Sequence, residues 1–162
     1  MSEVEKSKDR SLEFHSEEFD QSLYQGVSMD ARLREVRLTN SQYIAKIGKY
    51  LQAEYSDDVS LQQSFFGEPR ETSFSPERGI LAGTYRWVAE VKSGRTKVIK
   101  LSTEYLVLYS GLTDHPEDYC NLYFKKIARF TTYPYFRSHF AEHISQSGLA
   151  LAPLPSLTER VD

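Results

Sequence analysis

The residues with the clearest potential for chemistry lie near the C-terminus, where positions 139–143 read His-Phe-Ala-Glu-His. This is the H-x-x-E-H spacing, which sets two histidines one helical turn apart as zinc ligands and a glutamate between them as base. A catalytic zinc also needs a third protein ligand, a carboxylate or another histidine further along the chain. The sequence runs only to residue 162, and Glu159 belongs to a polar tail. His139 and His143 are therefore read as two exposed or interfacial histidines, with no metal site. Cys120 has His115 nearby in sequence, but no third group to orient a thiol–imidazole pair, and a cysteine at a helical position ordinarily packs as a small hydrophobe. The chain contains no GxGxxG, GxxxxGK[ST], G-x-S-x-G or EF-hand loop. No catalytic residue and no cofactor is expected, and the chain is read as non-enzymatic.

Composition narrows the classes further. The 162 residues carry 20 Lys and Arg against 23 Asp and Glu, a net charge of -3, which argues against binding driven by phosphate neutralisation. Arg32, Arg34 and Arg37 form the densest basic group, and strand alternation would put the first two on one face and the third on the other. They read as a solvated strand. With Cys120 alone there is no disulfide framework and no zinc ribbon, which fits a reducing compartment such as the cytoplasm. No run approaches the roughly 20 apolar residues of a membrane span, and the acidic N-terminus lacks a signal-peptide core. A domain of this size buries roughly 70% of its unfolded surface, enough for a core without staples.

The elements that would position these side chains follow in order. Residues 1–28 hold too little apolar surface to offset ordering entropy and are expected to be a disordered acidic arm, with at most a transient helix over 12–19. Residues 31–47 read as a long irregular first strand, 48–58 as a connection and 59–67 as a short second strand. Beyond these, 80–92 and 97–109 form the clearest signal, two β-rich runs around Ser93-Gly94-Arg95. Their alternation gives one apolar face (Leu81, Tyr85, Trp87, Ala89, Val91 with Ile99, Leu101, Tyr105, Val107, Tyr109) and one more polar face. The apolar face needs a helical cover. Asp114 and Glu117 have capping-box spacing, and Pro116 suits a first turn. Tyr119, Leu122, Tyr123, Ile127 and Phe130 would lie on the sheet, with Phe124 off the stripe. Pro134 is expected to break or kink the helix and open a second one, stopped at Gly148.

Aromatic residues make up 13% of the chain, with 11 Tyr, 9 Phe and one Trp. Tyrosine is apolar in its body and polar at its tip, which suits surfaces that accept varied partners, so the set favours a binding protein.

The segment Arg129-Phe130-Thr131-Thr132-Tyr133-Pro134-Tyr135-Phe136-Arg137, followed by Ser147-Gly148-Leu149-Ala150-Leu151-Ala152-Pro153-Leu154, resembles the C-terminal signature of SecB-like chaperones: aromatic-Pro-Tyr-x-Arg, then Gly and L-x-L-x-P-L. The upstream order of elements agrees, so the resemblance spans about residues 30–155. It implies an α+β fold, a four-stranded antiparallel sheet with helices on one face, over a SecB-like domain at 29–155, with 156–162 as a flexible tail. It further implies a homo-oligomer, a tetramer built as a dimer of dimers, that holds unfolded polypeptide without ATP or cofactor.

Family members capture clients in apolar grooves, and Phe65, Phe66, Tyr119, Tyr123 and Tyr133 are the residues here that would line one. The motif residues Tyr133, Pro134, Tyr135, Arg137, Gly148, Leu149, Leu151, Pro153 and Leu154 are expected to act structurally. Pro134 would fix a bend, Arg137 would pair with a carboxylate or carbonyls near it, and the leucines would dock the tail. The family's export chaperones continue past the tail into a last helix that contacts the SecA motor, whereas residues 156–162 here are SLTERVD. With the acidic arm, this departure makes SecA contact doubtful. The closest resemblance is to chaperones of toxin-antitoxin-chaperone systems, with an antitoxin as client; the alternative is a general SecB-type export chaperone delivering preproteins to the translocase.

Overall fold

The computed structural model describes residues 19–46, 48, 51 and 61–157. Helix α1 (Gln21–Asp30) precedes strands β1 (Arg32–Ala45), β2 (Leu61–Ser75), β3 (Ile80–Ser93) and β4 (Thr96–Ser110), and the long helix α2 (Glu117–Ser147) closes the domain. The strands form one antiparallel sheet in the order β1-β4-β3-β2. Both helices lie on one face of it, as expected, because alternation along β3 and β4 leaves a continuous apolar surface that only a helix stripe can cover. Two glycines permit close packing there. A Cβ on Gly83 would stand 2.5 Å from the Phe124 ring, and one on Gly67 2.6 Å from Trp87. Among the described residues, no helix is long and apolar enough to cross a membrane.

Six expectations need correction. Residues 21–28 are not a disordered arm but most of α1. Asp20 caps this helix by accepting from the Ser22 N–H at 2.9 Å, Val27 is fully buried, and Phe19 and Tyr24 pack on the core. An acidic average conceals one apolar stripe, and a stripe is all that docking on α2 requires. The other residues of the expected arm, 1–18, lie outside the described residues, as do 158–162 of the expected flexible tail, whose Leu157 packs partly on the core.

The second strand runs to Ser75, through Pro69 and past a register shift between Pro69 and Thr72. It is an edge strand, where a missing N–H costs no ladder bond and an irregularity is tolerated. The capping box does not form: Asp114 adopts a left-handed conformation (φ 58°), and Pro116 is the N-cap with no side-chain bond. Glu117 and Asp118 instead favour the helix start by their charge.

The helix does not end at Pro134 either. α2 runs unbroken for 31 residues with Pro134 inside it and stops at Gly148 in the left-handed conformation, so Pro134 separates no two helices. An interior proline costs about 3 kcal/mol, and the buried anchors Tyr133 and Phe136 on either side hold the helix down against that cost. The stripe facing the sheet is Cys120, Phe124, Ala128, Thr132, Phe136 and Phe140, with Tyr119, Tyr123 and Tyr133 beside it. Phe124 is thus fully buried, and Phe130 is 38% exposed. Finally, a register shift between Leu33 and Glu35 interrupts the alternation of β1. Arg32, Glu35 and Arg37 therefore share one face with their partners Ser110, Leu108 and Leu106, so Arg37 does not point away from Arg32 as strict alternation predicts.

Candidate polypeptide-binding surface

The aromatic residues assemble most densely where the middle of α2 crosses β3 and β2. Trp87 lies at the centre, its ring 5.6 Å from Phe136 in a near-parallel stack and 5.0 Å from Tyr133. Its indole N–H donates to Thr132 Oγ1 at 2.7 Å, and that hydroxyl in turn donates to the Ala128 carbonyl at 2.7 Å. Phe65, on the outer strand β2, stacks on Tyr133 at 5.3 Å and is only partly buried. The result is a wall of rings, buried at Trp87 and Phe136 and reaching the surface at Phe65.

Beside the wall, the C-terminal segment doubles back along α2. Arg137 Nε donates to the Leu154 carbonyl at 2.7 Å, the Tyr133 hydroxyl donates to the Pro155 carbonyl, and Gln63 Nε2 donates to the Ala152 carbonyl at 2.9 Å. Leu149 and Leu154 are buried, Leu151 is partly so, and Pro153 is exposed. Arg137 thus finds a carbonyl, but that of the returning tail and not one at a bend. Phe130, Tyr133, Pro134, Arg137, Ser156 and Leu157 enclose an open cavity of about 220 Å³. Its lining is mostly apolar, and Phe130 is partly open to solvent. A cavity of this kind can seat one large apolar side chain.

The five residues expected to line one groove fall in three places. Phe65 and Tyr133 meet in the wall. Tyr119 and Tyr123 lie near the start of α2 beneath α1, where Phe19 approaches Tyr119 (5.7 Å) and Tyr24 approaches Tyr123 (6.4 Å). Tyr123 also packs edge-on against Tyr109 at 5.3 Å. Phe66 points to the opposite face of the sheet from Phe65, pairs in register with Val88 and is 51% exposed. Strand alternation separates neighbours 65 and 66, a signal already present in the sequence. Phe130 was expected on the sheet-facing stripe and Leu157 in the flexible tail, and neither was expected to line a groove. Phe130 stands one helical turn before Tyr133 and Pro134, which was the available clue.

Burial raises the ionisation of the tyrosines of this core, Tyr105 and Tyr109 to about 12. Burial, and then the charge of Glu117, raises the Cys120 thiol to about 11, so this sulfur stays protonated and is a poor nucleophile. His139 and His143 lie at the far end of α2, and among the described residues no three His, Cys, Asp or Glu side chains converge to hold a metal ion.

A sheet in the order β1-β4-β3-β2 with a long helix across one face and a tail returning along that helix is the fold of a SecB-like chaperone. It aligns with the Mycobacterium tuberculosis SecB-like chaperone Rv1957, solved in complex with a ChAD peptide from the Rv1956 HigA1 antitoxin. The TM-score is 0.68 at 18% identity, covering 86% of this chain and 99% of that one. A Streptococcus agalactiae protein of unknown function overlaps more loosely, with a TM-score of 0.32 and 8% identity over 79% of this chain and 96% of that one. No family model matches the chain, and no curated protein matches it by sequence.

Proposed function

We propose that the protein is an ATP-independent holding chaperone, without enzymatic activity, that binds aggregation-prone polypeptide in the cytoplasm as a homo-oligomer. Its client is an antitoxin of a toxin-antitoxin-chaperone system. The observation that carries the reading is the shared fold with a SecB-like chaperone solved with an antitoxin peptide. The partly exposed rings of Phe65 and Phe130, flanking the buried Tyr133, form the surface that supplies the chemistry. It is apolar, partly solvent-exposed and rimmed by Arg137, so it gains burial from many sequences while the guanidinium can take a client carbonyl or carboxylate. Repetition of this surface in a tetramer would multiply weak contacts along one extended client.

The test is light scattering of an aggregating antitoxin, without nucleotide, with and without the protein. Suppression near one oligomer per client, weakened by Phe130→Ser and Phe65→Ser, is expected. A monomeric elution profile together with no suppression would overturn the reading. Equal suppression of unrelated preproteins would move the client class toward general export.

A further inference from the structure

The H-x-x-E-H segment contributes nothing to the surface described above, yet its two imidazoles are placed with some care. His139 and His143 lie one turn apart near the end of α2, where the helix passes β1. Their Nε2 atoms share a hydrogen bond at 3.3 Å, and the rings are nearly perpendicular (87°). Two nitrogens bound to zinc at about 2.0–2.1 Å with a tetrahedral angle between them stand about 3.3–3.4 Å apart. The separation required for sharing one ion is therefore already present.

Strand β1 fixes both rings. Tyr43 stacks on His143 at 4.5 Å and 15°, and Ser41 Oγ hydrogen-bonds His139 Nε2 at 2.9 Å, a bond that an ion on this nitrogen would replace. Both histidines are partly open to solvent, and β1 is the outer strand of the sheet. Glu142, on the same helix, adds negative charge nearby.

We infer that His139 and His143 form a binding site for a borderline-soft divalent cation, Zn²⁺ by class, held by the two Nε2 atoms with its remaining positions open. Ser41 is placed to hydrogen-bond a water on the ion. Imidazole suits zinc, copper and nickel rather than magnesium or calcium. With two protein ligands the site is not a hydrolytic centre. Its open positions leave room for a carboxylate or imidazole from another chain to complete the sphere.

The experiment is a calorimetric titration of ZnCl₂ into the full chain at neutral pH, with side-chain NMR of the histidine rings on the unmodified protein. One ion per chain is expected, with zinc-induced shifts at His139 and His143 and none at His115. Affinity should fall at least ~10-fold, a loss of about 1.4 kcal/mol, in H139A and in H143A, and stay unchanged in H115A. Absence of shifts at the two rings, or equal zinc affinity in the H139A/H143A double variant, would overturn the assignment. The NMR arm decides even if a variant folds poorly.

Discussion

The bond between Trp87 and Thr132 ties the sheet to the centre of α2, and its value can be measured in isolation. Thr132→Val keeps the shape and nearly the helix propensity of the side chain but removes the acceptor. Both partners are almost fully buried, so the indole N–H would be left with no water in reach. A buried unsatisfied donor costs about 1–3 kcal/mol. The methyl that replaces the hydroxyl returns up to about 0.8 kcal/mol. The Ala128 carbonyl loses the extra bond from the hydroxyl but keeps its helical one. The net expectation is a loss of about 1–2 kcal/mol, or about 2–8 °C in Tm for a chain of this length.

Trp87→Phe removes the donor instead. On that background Thr132→Val should be close to neutral, because both polar partners are then gone. The double-mutant cycle, followed by far-UV circular dichroism in denaturant at one fixed protein concentration, should give a coupling of about 1–2 kcal/mol. If Thr132→Val costs the same in both backgrounds, the bond is not what holds the two layers in register.

Three further expectations follow from the packing. Gly83→Ala should destabilise by about 1–3 kcal/mol or more, since its Cβ would meet both Phe124 and the Glu71 carbonyl; urea midpoints test this. Arg137→Met keeps the aliphatic stem and loses the bond to Leu154. It should cost about 1–2 kcal/mol and speed amide exchange across residues 149–157, read by mass spectrometry. Alkali should unfold the protein by a definite route. An unfolded phenol loses its proton near pH 10, whereas Tyr105 and Tyr109 hold theirs to about 12. The folded state binds those protons more tightly, so stability is complete below about pH 10 and falls as pH rises toward about 12. Tyr109→Phe should flatten part of that fall in denaturation midpoints taken at increasing pH.

The hairpin of β3 and β4 was legible because period-two alternation runs its full length, and the cover of one sheet face by helix follows from that alternation. β2 was legible only as far as Gly67. Its remainder carries proline and charge, which argue against a central strand but are admissible on an edge, and edge position is a property of the whole sheet. α1 was missed for a related reason. Its stabilisation comes from Val27, Tyr24 and Phe19 meeting α2, a contact between segments about 100 residues apart that no local composition records. The motif at 129–137 pointed to the right region and to the wrong geometry. Pro134 marks an interior position of one long helix because buried side chains before and after it outweigh its local cost. Of the candidate binding residues, Phe65 and Tyr133 could be paired only once strand order placed β2 beneath the middle of α2.

The strand order also constrains how the chain is made. β3 and β4 are neighbours in sequence and can pair as soon as both exist. β1 pairs with β4, and Arg32 faces Ser110, roughly 80 positions later. At a ribosomal pace of about 5–20 residues per second, β1 waits ~10 s for its partner. During that interval a long strand with unpaired backbone groups is held in an unfinished protein, so the nascent chain passes through the aggregation-prone condition that its folded form is proposed to relieve in others. Translation speed through residues 46–96 should therefore govern the yield of soluble protein more strongly than speed anywhere downstream of β4.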